Sequence, residues 1–129
     1  MYEYEARVER VVDGDTIEFS VDVGFHLYFR EQMRLAHYAA PETRGIEKPL
    51  GLIAKQKLEE ILPVGIIVTI TSHKTEKFGR WLAEVTVNKQ ILSDILIKQG
   101  YGLPWDSRPD EIKPQFDPSA PYPLKTSQE

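Results

Sequence analysis

The 129 residues carry 16 Lys and Arg against 20 Asp and Glu, a formal net charge of −4, which excludes a protein that blankets nucleic acid with positive charge while leaving room for a local arginine cluster to grip one phosphate. That length allows one domain with one core, and with 41% hydrophobic and 28% charged residues the chain is expected to fold. Absence of cysteine removes disulfides, thiolate metal sites and cysteine nucleophiles, and no apolar run approaches the ~18 residues of a membrane span, so a soluble monomer is expected, cytoplasmic or secreted.

From Glu5 to Val12 the residues alternate as in a strand, and Asp13-Gly14-Asp15-Thr16 follows as a hairpin turn, Asp-Gly being the dipeptide that supplies positive φ. Ile17, Phe19, Val21 and Val23 then face one way and Glu18, Ser20 and Asp22 the other, which predicts a strand with one face on a core. Gly24 turns the chain, and Leu27 to Tyr38 reads as a third strand that ends before Pro41.

Pro49 suits the first turn of a helix, and Leu50, Ile53, Ala54, Leu58, Ile61 and Leu62 give that helix an apolar stripe ending at Pro63. Ile66, Val68 and Ile70 mark a fourth strand, and Trp81, Ala83, Val85 and Val87 a fifth, joined by a polar loop. A second helix carries Ile91, Leu92, Ile95, Leu96 and Gln99, with Gly100 at the position after its C-cap. Six of the nine prolines fall in residues 104–129, so this tail is no continuous helix, and Trp105, Phe116 and Tyr122 would dock it partly onto the domain of residues 1–103. Three strands, a helix, two strands and a helix fit a five-stranded oligonucleotide/oligosaccharide-binding barrel with two helices, mainly β in an α+β arrangement.

Several side chains are candidates for chemistry. Asp13, Asp15 and Glu42 offer oxygen ligands of the kind a hard cation takes, although Asp-Gly-Asp-Thr also reads simply as a turn. Arg34 and Arg80 present planar forks matched to phosphate oxygens, against the plainer reading of solvated arginines. Glu42, just after Pro41, is a candidate general base for water, against the plainer reading of an acidic residue opening a loop. His26, His37 and His73 have no ligand spacing and read as ordinary strand and loop residues. No serine has the setting of a nucleophile elbow.

In order and spacing, Asp13-Gly-Asp-Thr16, Met33-Arg-Leu35 with Ala40-Pro-Glu-Thr43, Lys77-Phe-Gly-Arg80 and Leu96-Ile-Lys-Gln-Gly-Tyr101 resemble the staphylococcal nuclease (thermonuclease-like) family over about residues 5–103. The resemblance implies the same barrel and Ca²⁺-dependent hydrolysis of phosphodiesters in DNA and RNA, on single-stranded or frayed substrate. It also implies that Asp15 and the Ala40 carbonyl would ligate the metal, with Asp13 behind them. Arg34 and Arg80 would hold the scissile phosphate and stabilise developing charge. Glu42 would act on the attacking water, and Lys77 and Phe78 would contact the nucleotide.

Two departures accompany the resemblance. Ala39 stands where the family usually has a second metal-binding aspartate, so the Ca²⁺ site is short of one charge and expected to be weak. The chain also ends in a proline-rich segment where better-known members have a third helix. A catalytically weak binding module for nucleic acid or protein is the rival expectation, favoured by Ala39 and the acidic charge. A sugar-binding barrel has fold class alone behind it.

Overall fold

The computed structural model describes residues 2–73, 80–106 and 110–125. Five strands form the barrel: β1 (Glu3–Asp13), β2 (Thr16–Asp22), β3 (Tyr28–Leu35), β4 (Ile67–His73) and β5 (Trp81–Val87). They lie in the order β3-β2-β1-β4-β5, and β5 closes the circle by pairing in parallel with β3, Arg34 standing against Leu82 and Leu35 against Ala83. Closure covers the β3 edge over Met33–Leu35, the end that carries Arg34. The register of β1 on β2 slips between Val8 and Arg10 and again between Val11 and Asp13. Such bulges bend a strand and raise its twist, as a small barrel requires.

Alternation predicts the core correctly for Ile17, Phe19 and Val21, all essentially buried with Leu35, Ile70 and Val85. Val23 departs from it: β2 ends at Asp22, and Val23 lies 43% exposed in the following turn. The third strand is also shorter than its sequence suggests. Its first residue is Tyr28 and its last Leu35, and it stops there because His37 takes φ 62°, a left-handed geometry that no strand continues through. The chain therefore leaves the sheet several residues before Pro41. A single antiparallel bridge between Ala39 and Leu103 then fastens the outgoing loop.

Helix α1 (Lys48–Ile61) has proline in its first turn and buries Leu50, Gly51, Ala54 and Leu58 against β1. Ile53, expected on that stripe, is exposed. A short 3-10 turn, Gly45–Glu47, precedes it. After β5, Asn88 and Lys89 both take positive φ, as a two-residue type I′ hairpin demands, and lead into β6 (Gln90–Ile91). Helix α2 (Leu92–Lys98) ends as its sequence predicts: Gly100 has φ 84°, its N–H donates to Ile97, and the Tyr101 N–H donates to Leu96, a Schellman closure.

Past Gly102 the chain is laid over the barrel. Trp105 and Phe116 are buried, the Tyr122 hydroxyl donates to the Tyr101 carbonyl at 2.7 Å, and the Leu124 N–H donates to the Gly100 carbonyl. These contacts bring tail residues over the end of β3, where the candidate chemistry lies. No helix among the described residues is long and apolar enough to cross a membrane.

Candidate active site

Asp15 occupies the turn between β1 and β2, and the pairing of Thr16 with Arg34 sets that turn beside the end of β3. Gly14 is required here for space. It does not take the positive φ that Asp-Gly suggests, and a Cβ built on it would stand 2.7 Å from the Ala54 Cβ and 2.9 Å from that of Ala40. The turn is thus pressed between α1 and the loop that leaves β3. Asp15 Oδ2 accepts from Arg34 Nη2 at 3.1 Å and from the Ala40 N–H at 3.0 Å, and Oδ1 accepts from the Thr16 hydroxyl at 3.2 Å.

The Arg34 and Asp15 side chains are only 4% and 7% exposed. A buried ion pair costs heavily to desolvate, so its persistence depends on the hydrogen bonds that complete it. Arg34 also lies under Trp105, its guanidinium carbon 4.6 Å from the ring centroid. Its Nε is buried without a hydrogen-bond partner, a donor that an anion would satisfy.

The two turn carboxylates divide one negative charge. Burial, then the charge of Asp15, pushes Asp13 up to about 7. For Asp15 burial acts upward too, but the Arg34 charge, a hydrogen bond from Asp13, the Lys113 charge and the Ala40 N–H together hold it below the ordinary range. At neutral pH Asp15 is therefore the anion and Asp13 is partly protonated, a separation that follows from like charges sharing a buried site.

Glu42 is half-exposed on the loop after Pro41, and its Oε1 accepts from Lys113 Nζ at 2.5 Å. The loop is held from beneath by Glu47. That carboxylate accepts the Glu42 N–H at 2.9 Å through one oxygen and the tail's Phe116 N–H at 3.1 Å through the other. Gly51 makes the arrangement possible, since a Cβ there would run into the Glu42 carbonyl. Nothing in the sequence marked Glu47 or Lys113. Trp105 was visible as an apolar anchor, but not as the cover of Arg34.

Ala39 is fully buried, and its backbone is engaged with Leu103 in both directions. Its side chain is a methyl group and offers a hard cation no oxygen. The side-chain donors are engaged as well: both Asp15 oxygens accept hydrogen bonds, and Glu42 Oε1 has the Lys113 ammonium against it. Among the described residues Asp13, Asp15 and Glu42 do not form a three-ligand group. As arranged, these residues do not fit a resident Ca²⁺. Arg80 is exposed just before β5, two residues ahead of Leu82, the register partner of Arg34. Lys77 and Phe78 lie outside the described residues.

A family model described as staphylococcal nuclease homologue matches residues 32–117. The chain belongs to the staphylococcal nuclease family. The matched span holds Arg34, Glu42 and Arg80 and continues through Trp105 and Lys113 to Asp117. In this nuclease-family domain the tail residues beside the site therefore fall within the match. No curated protein matches the chain.

Proposed function

We propose that the protein hydrolyses phosphodiester bonds in single-stranded or frayed DNA or RNA, with Arg34, Glu42 and Arg80 as its catalytic residues. The observation that carries this reading is the fixed Arg34: a guanidinium locked by Asp15 and the end of β3, with one buried donor unmet. A preorganised donor of this kind stabilises charge that develops on a phosphate oxygen without reorganising at the moment of reaction. Glu42, on the adjoining loop, would take the proton from the attacking water as its oxygen bonds to phosphorus. Arg80 would meet the charge that grows on the oxygen leaving phosphorus, with solvent returning a proton to it. Lys77 and Phe78 would contact the nucleotide, as the family resemblance implies.

In this reading Ca²⁺, which the family typically uses, is held at best weakly by Asp15 and the Ala40 carbonyl with Asp13 behind them. The chain's own arginines, Arg34 and Arg80, supply the positive charge at the site. Trp105 and Lys113 cover the two groups a substrate must reach, so nucleic acid enters by displacing tail contacts. The same cover favours a second reading, a binding module whose site the tail keeps closed. Arg80→Ala separates the two. A catalytic Arg80 predicts a fall in kcat on a single-stranded oligonucleotide larger than the loss in binding. Equal losses would leave Arg80 as a ground-state contact, as in a binder.

A further inference from the structure

We propose a second metal site, for a divalent transition cation of the zinc class, formed by His37, His73 and Glu84 on the outer surface of the barrel. It does not depend on the nuclease reading. In sequence the three residues are scattered, and the histidines looked ordinary. The fold brings them together by register. Thr71 pairs with Glu84 and His73 with Leu82, so His73 and Glu84 share a face of neighbouring strands. Ala36 donates to the Ala83 carbonyl, and the left-handed turn at His37 then carries its ring to that face.

One ligand atom from each residue lies within 4.8 Å of the others, the only such three-residue group among the described residues. The two imidazole rings stand edge to face with centroids 5.4 Å apart. His73 Nε2 is buried with no hydrogen-bond partner, and the Glu84 carboxylate at 4.0 Å is too far to supply one. That nitrogen is an orphan a cation would satisfy. His37 Nδ1 is 2.7 Å from Asp106 Oδ1. A carboxylate on one ring nitrogen fixes the tautomer and leaves Nε2 as the ligand, the support that metal-binding histidines ordinarily have.

Two imidazoles and one carboxylate suit Zn²⁺ or its neighbours and not Ca²⁺ or Mg²⁺, and water would complete a tetrahedron. Ligands about 2.0–2.2 Å from zinc stand roughly 3.3 Å apart, so the cluster has to close by up to about 1.5 Å. His37 and its Asp106 partner are both about half-exposed, so the pair has room to make that adjustment together. An ion here would tie the ends of β3, β4 and β5 and, through Asp106, the segment that lays Trp105 over Arg34.

The test is calorimetric titration of the full chain with Zn²⁺, repeated on variants and in excess Ca²⁺, with circular dichroism as the check on folding. Saturable one-to-one Zn²⁺ binding is expected, unaffected by Ca²⁺ and retained in a His26→Asn control. It should be lost in His73→Gln, weakened in Glu84→Gln, and weakened about 10- to 100-fold in Asp106→Asn. Co²⁺ bound in place of Zn²⁺ should give the visible absorption of a tetrahedral site. Absence of saturable binding, Zn²⁺ affinity unchanged in folded His73→Gln and His37→Gln proteins, or competition by Ca²⁺ would overturn the assignment.

Discussion

The Arg34 guanidinium is held between the Asp15 carboxylate, 3.1 Å from Nη2, and the face of Trp105, 4.6 Å from the ring centroid. One neighbour is contributed by the β1–β2 turn and the other by the proline-rich tail. The arginine is therefore fixed by the barrel and covered by the tail.

Removing the cover should separate stability from access. Trp105→Ala deletes a buried aromatic, which in a core costs about 3–5 kcal/mol, and Tm should fall accordingly. In the variant that stays folded, Arg34 becomes reachable, so affinity for a short single-stranded oligonucleotide should rise at low salt. Unchanged or weaker binding would mean that Trp105 is itself part of the binding surface.

Lys113 presents an ammonium to Glu42 at 2.5 Å. If Glu42 accepts the proton of the attacking water, that contact must open first. Lys113→Ala should then raise single-turnover cleavage at saturating substrate while leaving the melting temperature nearly unchanged, since half-exposed pairs contribute about 1 kcal/mol or less. A fall in rate would assign Lys113 to the substrate phosphate instead.

The Asp13–Asp15 pair gives stability a definite pH dependence. Asp13 rises from 3.8 to about 7 on folding, so between these values the native state binds more protons than the unfolded chain. Stability should accordingly fall as pH rises from about 4 to about 7, with a slope of at most about 1.4 kcal/mol per pH unit. Asp15 has the opposite sign, being held low in the fold, so its contribution is present above about 4 and lost below it. Urea unfolding of wild type and Asp13→Asn across pH 4–8 checks this. Asparagine should flatten the decline, and parallel curves would contradict the assignment.

Ala39→Asp places a carboxylate at a fully buried position whose neighbour, Ala40, donates its N–H to Asp15. Without cation it should destabilise the fold, because a third like charge is added to a site already sharing one proton. Ca²⁺ should recover that loss and bind the variant more tightly than wild type, read by calorimetry and by Tm. No gain in Ca²⁺ affinity would mean that position 39 does not face the cation.

The barrel was legible because its signals are local: alternation in β2 and β5, proline at the start of α1, and glycine after α2. Errors arose where tertiary contacts override pattern. The third strand stops at Leu35 because the backbone turns left-handed at His37, and Gly14 is needed for the closeness of Ala54 and Ala40, neither of them near it in sequence. Asp15 and Arg34 are readable as candidates and do meet, but the side chains that cover Arg34 or hold Glu42, namely Trp105, Lys113 and Glu47, lie 5 to 71 residues beyond the candidates they touch, on segments with no periodicity to read.

The nuclease reading is tested most directly by release of acid-soluble nucleotides from denatured DNA, comparing wild type with Arg34→Ala, each with added Ca²⁺ and with chelator. The account predicts slow release by wild type that persists substantially in chelator, because Arg34 and Arg80 supply the positive charge, and its loss in Arg34→Ala. No release by wild type under either condition, or equal release by the two proteins, would contradict it.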